Sequence, residues 1–364
     1  MQIKQKVIEL IAQKYSTLSP NVTESLIVDN LFSPFQIRLP KEILTQAQDF
    51  VRQVFLLRES KDYPKPKNIP DPGNKSILMS YDFHVDQSNH LKLIEINTNA
   101  AFLALGDFMY QAHNLPQPVV GFDLNEITEN IQEEFKLNGQ KEKTFIAIID
   151  EEPQKQKLYI EFLVYNEFFK SKGFQSIITD FRNIPDSVNF IYNRYTDFYF
   201  DTPESIHLKK LFLEKKICFS PNPFEYDLLA NKERMIDWSL QGLFKKNLPL
   251  AQKITSENQE QIWTDRKKYF FKPLQSFGSK QSYRGEKISR KMFEKIPNNG
   301  FIAQEYIEPP KVTFQTPSGE QEYKFDLRFY AYKDRVQSVI ARIYQGQVTN
   351  LQTPFGGFAP IVLV

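Results

Sequence analysis

Two short segments decide the predicted fold, Tyr81-Asp82-Phe83 and Leu93-Ile94-Glu95-Ile96-Asn97. Both alternate apolar and polar side chains, which is typical of β-strands. Glu95 and Asn97 then share one face, about 7 Å apart. A two-residue turn between the segments would place Asp82 opposite Glu95, and a shift of two residues would place it opposite Asn97. Either register brings the three polar side chains together on one face of a hairpin.

These three side chains form a candidate magnesium site. Opposed carboxylates destabilise a sheet unless a cation lies between them. Carboxylate and amide oxygens are hard ligands that suit Mg²⁺, which also takes phosphate oxygens from its substrate. A solvent-facing polar strand, whose acids meet Lys92 or another base, explains the same pattern. Asp82, Glu95 and Asn97 are therefore candidate metal ligands, with both interpretations open at this point.

Length and charge restrict the class of protein. The chain has 364 residues and a formal net charge of +2, from 46 basic and 44 acidic side chains. This length favours several domains, and a dedicated nucleic-acid binder would be clearly basic. The single Cys218 excludes a disulfide framework and a cysteine-built zinc site. With no apolar run near the ~20 residues that span a bilayer, we expect a soluble cytoplasmic protein.

Hydrophobic spacing divides the chain into regions. Residues 1–60 have helical periodicity, and the Lys/Pro-rich stretch 61–74 is a connector. Strands and helices alternate over residues 144–225, which predicts a parallel sheet with helices on its faces. Strand-like runs dominate after residue 225. The chain ends in four apolar residues, 361–364, which we expect to lie in a sheet.

Basic and flexible elements suited to a nucleotide lie in the second half of the chain. Lys272 ends an aromatic strand, and a polar loop over residues 275–280 follows it. Gly278 lets the backbone approach a ligand closely, and Ser and Gly amides can hold phosphate oxygens. The loop lacks the GxxxxGK[ST] pattern of a Walker A motif. In isolation it is more simply an ordinary connector.

One predicted strand, residues 323–332, carries charge on one face. Asp326, Arg328 and Tyr330 alternate with apolar neighbours, so we expect a half-buried strand with a charged outer face. Solvation of this face, or a pair between Asp326 and Arg328, would explain it without a functional role. Arg342 lies among apolar residues, where a charge needs a partner. These residues add two arginines to the candidate binding groups.

The order of these motifs resembles that of the ATP-grasp ligases, such as glutathione synthetase. One departure is Asn231, where the family has Asp. The segments that carry the resemblance are Asn231-Lys232-Glu233-Arg234 (the opening helix), Phe271-Lys272-Pro273 (the strand whose lysine contacts phosphates), residues 276–280 (the phosphate loop), Ala303-Gln304-Glu305-Tyr306-Ile307 (the hinge strand beside adenine), and Asp326-Leu327-Arg328 with Arg342, Asn350 and Gly356-Gly357 (the later strands).

The family's metal-binding strands normally come last, whereas here they come first, as Asp82 and Glu95-Ile96-Asn97. The chain therefore resembles a circularly permuted ATP-grasp protein of the glutathionylspermidine-synthase-like group, of mixed α/β (α+β) class. The apolar C-terminus would then end in the sheet that residues 76–97 complete. The implied regions are a helical N-terminal region (1–75), metal-binding strands completing the C-terminal subdomain (76–115), an α/β pre-ATP-grasp domain (116–225), a nucleotide-binding subdomain (226–310) and a C-terminal subdomain (311–364).

The resemblance implies an ATP-dependent carboxylate–amine ligase that uses ATP and Mg²⁺ and forms an amide through an acyl phosphate. Its substrates would be small-molecule or peptide acids and amines, with no nucleic acid or membrane partner. The implied site residues are Lys232, Lys272, Ser276, Gly278, Ser279, Lys280, Gln304, Glu305, Ile307 and Asp326 for the nucleotide, Asp82, Glu95 and Asn97 for the metal, Arg342 and Arg328 for catalysis, and Arg194 and Arg328 for a substrate carboxylate.

Three alternatives stay open from the sequence. A phosphotransferase would phosphorylate a hydroxyl and make no amide. A nucleotide-binding module would keep the fold without catalysis. A single-stranded nucleic-acid groove would also interleave aromatic and basic residues, as in Tyr192-Asn193-Arg194-Tyr195, although the balanced charge disfavours it.

Overall fold

The computed structural model describes residues 2–141, 144–274, 281–296, 298 and 300–364, which form a mixed α/β protein. The helices are α1 (Gln2–Lys14), α2 (Pro20–Leu26), α3 (Lys41–Glu59), α4 (Leu103–Ala112), α5 (Glu126–Leu137), α6 (Tyr159–Ser171), α7 (Ile206–Leu213), α8 (Pro223–Glu225), α9 (Glu233–Leu240), α10 (Gln259–Thr264) and α11 (Arg290–Phe293). None of the described helices has the length and apolar character needed to cross a membrane.

The strands belong to four sheets within these residues. They are β1 (Ile37–Leu39), β2 (Met79–Val85), β3 (Leu91–Asn97), β4 (Phe145–Asp150), β5 (Gln175–Asp180), β6 (Phe190–Asn193), β7 (Cys218–Ser220), β8 (Ala251–Lys253), β9 (Tyr269–Pro273), β10 (Tyr283–Arg284), β11 (Phe301–Glu305), β12 (Lys311–Thr316), β13 (Gly319–Tyr332), β14 (Arg335–Tyr344), β15 (Gly357–Ala359) and β16 (Ile361–Leu363).

The central sheet combines strands from both ends of the chain. Its order is β15-β14-β13-β2-β3, with β12 paired to β13, and β2 and β13 are antiparallel partners. The hairpin β2–β3 thus extends a sheet whose other strands come from residues 311–359. This pairing places Asp82 directly beside Arg328.

Helix α3 covers one face of the central sheet. Its buried residues recur at helical spacing, and one of them, Phe50, makes edge contacts with Tyr81 and Phe83 of β2. Phe83 in turn meets Phe329 of β13, with ring centroids 5.8 Å apart. The aromatic residues of the sequence therefore join the N-terminal helices to the central sheet.

A second layer is the parallel sheet β5-β4-β6-β7, which confirms the sheet type predicted from strand–helix alternation. A third sheet, β10-β9-β11-β8, is antiparallel and carries Lys272 and Gln304. It has its own small core, separate from the main one, with Phe271 and Phe293 at its centre. Ala251 of β8 belongs instead to the main core, which joins this sheet to the rest of the protein.

The C-terminal strand corrects one expectation. Strand β16 lies in a sheet, as predicted, but it pairs in parallel with β1 in a separate two-stranded sheet rather than with the central one. It is β15 that pairs with β14 at the edge of the central sheet. Gly357, the first residue of β15, has a φ of +96°, a conformation that favours glycine. A Cβ at this position would lie only 2.2 Å from the Asn30 carbonyl oxygen.

We expect Phe83→Ala to lower the free energy of unfolding by about 3–5 kcal/mol, because it removes a fully buried ring that joins α3 to β2 and β13. Urea denaturation followed by circular dichroism measures the change. The control is Val120→Ala, since Val120 is 96% exposed and should stay within about 0.5 kcal/mol of the wild type. Equal unfolding midpoints for the two variants would contradict the packing described.

Candidate active site

The hairpin β2–β3 has the first of the two predicted registers, with Asp82 opposite Glu95. Its connecting loop and its strand pairing differ from those that we expected. The strands are joined by residues 86–90 rather than by a two-residue turn, and Phe83 pairs with Leu93. Ile94 is therefore an extra residue, a β-bulge that restores the pairing at Glu95.

The bulge presents the Ile94 carbonyl to the facing sheet. The ammonium Nζ of Lys272 donates a hydrogen bond to this oxygen at 2.9 Å, and Gln304 Nε2 lies 3.4 Å from it. Burial lowers the pKa of Lys272 to about 8, although the nearby Glu95 favours the charged form. A cation thus reaches the carboxylate strand from the opposite side of the cleft.

The three predicted metal residues come together. Asn97 Nδ2 lies 3.3 Å from Asp82 Oδ2 and 3.4 Å from Glu95 Oε1. Asp82 is fully buried, whereas Glu95 and Asn97 are only partly covered and line a cleft. Two of the three are therefore open to a ligand, and the third lies behind them.

Asp82 is saturated with hydrogen-bond donors. Arg328 binds both of its oxygens, through Nε at 2.9 Å and Nη2 at 2.7 Å, and Arg342 Nη2 reaches Oδ2 at 2.8 Å. Ser80 Oγ donates to Oδ1 at 3.2 Å, in addition to the contact from Asn97 described above. Burial alone would raise the pKa of Asp82, but the two guanidinium groups outweigh it and hold the pKa below its usual range.

The charged face of β13 is buried, so the prediction of a half-buried strand with this face outward is wrong. Asp326 is 4% exposed and Arg328 9%. Asp326 accepts hydrogen bonds from Arg342 Nε at 2.6 Å and from Thr349 Oγ1 at 2.7 Å. The buried charges form ion pairs between β2, β13 and β14, and these pairs take the place of solvation by water. Asp82 and Asp326 are thus the partners that the charge of Arg342 requires.

A cleft of about 450 Å³ separates the central sheet from the β8–β11 sheet. It gathers most of the residues that the sequence singled out. Those lining it are Glu95, Asn97, Lys232, Lys272, Gln304, Glu305, Ile307, Asp326, Arg328 and Arg342. Burial lowers the pKa of Lys232, and Glu95 acts in the opposite direction.

The predicted hinge residues Glu305 and Ile307 line this cleft. Glu305 Oε2 accepts the backbone N–H of Leu250 at 3.0 Å, and its own N–H donates to the Leu250 carbonyl. The Ile307 carbonyl lies 2.9 Å from Nδ1 of His84. Burial lowers the pKa of His84 to about 4, so the neutral ring donates to that carbonyl. The sequence reasoning missed His84, although its place two residues after Asp82 puts it on the same strand face.

Other predicted residues lie elsewhere. Arg194 does not line the cleft, and its Nη1 donates instead to the backbone carbonyl of Asn99. The phosphate-loop residues Ser276, Gly278, Ser279 and Lys280 fall outside the described part of the chain. Asn231, which replaces the expected Asp, donates to Asp227 Oδ1 at 3.1 Å just before α9.

Comparison with solved structures gives the fold. A glutathione synthetase-like effector from Globodera pallida aligns over 100% of this chain and 97% of its own length, with a TM-score of 0.56 at 11% identity. The chain has an ATP-grasp fold. Weaker matches of this chain are a putative γ-glutamylcysteine synthetase from Methylobacillus flagellatus (TM-score 0.45, 10% identity, 86% of this chain and 83% of that one) and an ATP-grasp ligase complexed with a minimal precursor (TM-score 0.31, 11% identity, 57% of this chain and 78% of that one). No protein-family model and no curated protein matches this chain.

We expect Asp82→Asn to lower the free energy of unfolding by about 3 kcal/mol near pH 7, because Arg328 and Arg342 would lose a buried anionic partner. Urea denaturation measures the loss. The matched control Glu95→Gln changes a carboxylate that faces the cleft, and we expect a loss of under about 1 kcal/mol.

The pH dependence of this loss has a defined sign. Since the pKa of Asp82 is lowered in the fold, its stabilisation is complete above the unfolded-state pKa of about 4 and disappears as the pH falls through the folded-state value. The difference between wild type and Asp82→Asn should therefore shrink in acid. A difference that stays constant down to about pH 2 would rule out the ionised pair.

Proposed function

We propose that the protein is an ATP-dependent carboxylate–amine ligase. One observation carries the proposal: a single cleft brings Lys232 and Lys272 from one side to face Glu95 and Asn97 on the other. Cations suited to phosphate oxygens thus lie opposite oxygen ligands suited to magnesium. The shared ATP-grasp fold supports this assignment.

The nucleotide would lie between the two facing sheets. Gln304, Glu305 and Ile307 mark the end for the base, together with the apolar Ile94 and Phe270 of the lining. Lys272 and Lys232 would bind the phosphates, with Ser276, Gly278, Ser279 and Lys280 as the proposed phosphate loop. Asp326 would act through Arg342, which it holds at 2.6 Å.

The donor chemistry fits magnesium. No group of three or more His, Cys, Asp or Glu side chains forms a metal cage among the residues that the structure describes. Magnesium often takes only one or two protein carboxylates beside substrate phosphates. Glu95 and Asn97 would hold the ion, and Asp82 reaches it only if an arginine releases one of its oxygens. The bound ion would supply charge neutralisation at the phosphates.

The reaction consists of two displacements. A carboxylate oxygen of the acid attacks the γ-phosphorus, and the bond from that phosphorus to ADP breaks. The amine nitrogen then attacks the acyl carbon, the bond to phosphate breaks, and the amine gives up a proton. Both steps need neutralisation of phosphoryl charge more than acid–base catalysis. Arg342, whose side chain is 16% exposed at the cleft, is the proposed group for this charge, with Arg328 beside it.

We further propose that the chain is a circular permutation of the usual ATP-grasp order. The support is the central sheet, where the carboxylate hairpin β2–β3 directly adjoins β13 although more than two hundred residues separate them. Permutation is tolerated where the original termini lie close together on a surface. On this proposal, residues 76–115 and 311–364 build one subdomain.

The proposal predicts magnesium-dependent ADP release that requires both an acid and an amine. A panel of carboxylic acids with hydroxylamine as a small amine would yield ADP and a hydroxamate. We expect Glu95→Gln to lower the rate by at least about 100-fold, while Glu152→Gln, on an exposed surface pair, keeps it. Undiminished turnover in Glu95→Gln would remove the metal assignment, and a phosphorylated hydroxyl product without amine dependence would establish the phosphotransferase.

Lys272 gives the nucleotide affinity a predictable pH dependence. Because its pKa is lowered to about 8, the ammonium form predominates below pH 8 and the neutral amine above it. Affinity for a non-hydrolysable ATP analogue should therefore fall by up to about tenfold per pH unit above pH 8. Calorimetry on Lys272→Arg should show no such decline, because arginine keeps its charge. Identical pH profiles for the two proteins would show that Lys272 does not bind the phosphates.

A further inference from the structure

The loop between β14 and β15, residues 345–356, is here called the Thr349 loop. Its middle residues, 347–351, line the cleft together with Arg342. Thr349 is half-buried, and its Oγ1 donates a hydrogen bond to Asp326 Oδ2 at 2.7 Å. The other oxygen of the same carboxylate accepts Arg342 Nε at 2.6 Å. One buried carboxylate thus joins the Thr349 loop to Arg342.

Asn350 fixes the conformation of the Thr349 loop. Its Nδ2 donates to the carbonyls of Gln345 at 2.9 Å and Val348 at 3.2 Å. Its Oδ1 accepts the backbone N–H groups of Gln352 and Thr353 and the Thr353 hydroxyl, each at 3.0 Å. These bonds use both N–H donors and the carbonyl oxygen of the amide. The Asn350 side chain therefore supports the loop and is not available to a ligand.

The two ends of the Thr349 loop are bonded to each other at the end of β14. The Thr353 hydroxyl accepts the Gln345 N–H at 3.0 Å, and the Thr353 carbonyl accepts the Gly356 N–H at 3.0 Å. Packing is close here, since a Cβ on Gly356 would lie 2.7 Å from the Ile343 carbonyl oxygen. The backbone therefore determines where the Thr349 hydroxyl lies relative to β14.

The orientation of the Arg342 guanidinium depends on the acids that bind it. Its Nε binds Asp326, its Nη2 binds Asp82 at 2.8 Å, and these two bonds define the plane of the group. A carboxylate rotates easily about its last bond, because torsions of this kind are broad and two-fold. The Thr349 hydroxyl restricts this rotation by holding the second oxygen of Asp326. Among the residues that the structure describes, no acid is hydrogen-bonded to Nη1 of Arg342, which leaves these N–H groups for a phosphate oxygen.

We propose that Thr349 is a positioning residue for Arg342, that it acts through the Asp326 carboxylate, and that Asn350 maintains the loop conformation this requires. The inference rests on the proposed function, in which Arg342 meets the transferred phosphoryl group. Thr349 itself touches no reacting atom. Loss of its hydroxyl frees the carboxylate of Asp326 to rotate, and Arg342 then keeps its ion pair with Asp82 but loses its defined orientation.

Nucleotide binding tests this role apart from turnover. With Mg²⁺ present, calorimetry on the whole chain compares ADP with the non-hydrolysable analogue AMP-PNP, which has an additional terminal phosphoryl group. We expect Thr349→Val to weaken AMP-PNP binding by about tenfold and to change ADP binding by less than about twofold, because only the terminal group meets Arg342. Thr349→Ser keeps the hydroxyl and should match the wild type. The control Thr316→Val should also match it, since the Thr316 hydroxyl binds the Gly319 carbonyl in the β12–β13 hairpin.

A double-mutant cycle tests whether Thr349 acts through Arg342. Arg342→Lys keeps a positive charge but removes the Nε that binds Asp326. In this background Thr349→Val should cause no further loss of AMP-PNP affinity, whereas a further loss of about tenfold would overturn the proposal. Circular dichroism verifies that each variant is folded, and Thr349→Ala replaces Thr349→Val if the latter is not.

Turnover with carboxylic acids and hydroxylamine separates this proposal from the ligase. If Thr349→Val weakens ADP and AMP-PNP equally, or weakens neither, the positioning role is wrong even where the wild type forms hydroxamates. A selective loss of AMP-PNP affinity without ADP release from any acid would support the positioning role and overturn the ligase. If the wild type binds neither nucleotide, both proposals fall.

Discussion

The structure depends on the buried ion pairs that Asp82 makes with two arginines. Asp82 belongs to the N-terminal third of the chain, whereas Arg328 and Arg342 belong to its last strands. Buried charges of this kind are stable only when each has its partner. The same contacts therefore favour the pairing of β2 with β13 in the register that brings Glu95 and Asn97 to the cleft. They also direct the guanidinium groups of both arginines to the carboxylate of Asp82.

Much of the site was accessible from the sequence because it follows from the two-residue period of a strand. Asp82, Glu95 and Asn97 alternate with apolar residues, and that pattern alone predicted a shared face, which the hairpin confirms. The parallel α/β sheet followed in the same way from alternating strands and helices. Local patterns of this kind are reliable because they show which side of a helix or strand is apolar, and that side is buried in the fold.

The features that could not be predicted from the sequence depend on contacts between segments that are not adjacent in the chain. The burial of Asp326 comes from Arg342 and Thr349, which reach it only after β13 and β14 pair. The contact of Arg194 with the Asn99 carbonyl could not be predicted for the same reason, because the two residues lie 95 positions apart. The partner of β16 was also missed, since an apolar run shows that a strand is covered but not by which neighbour.

The bulge at Ile94 has a consequence for how the protein rests when no ligand is bound. Its carbonyl accepts the hydrogen bond that joins Lys272 of β9 to the central sheet. The two sheets also share apolar packing, because Ala251 of β8 belongs to the main core. The ammonium group of Lys272 has three N–H donors, so on the proposed function it can bind phosphate oxygens while it keeps its bond to Ile94. A one-residue irregularity in a strand thereby supplies a backbone oxygen that orients this lysine before any nucleotide binds.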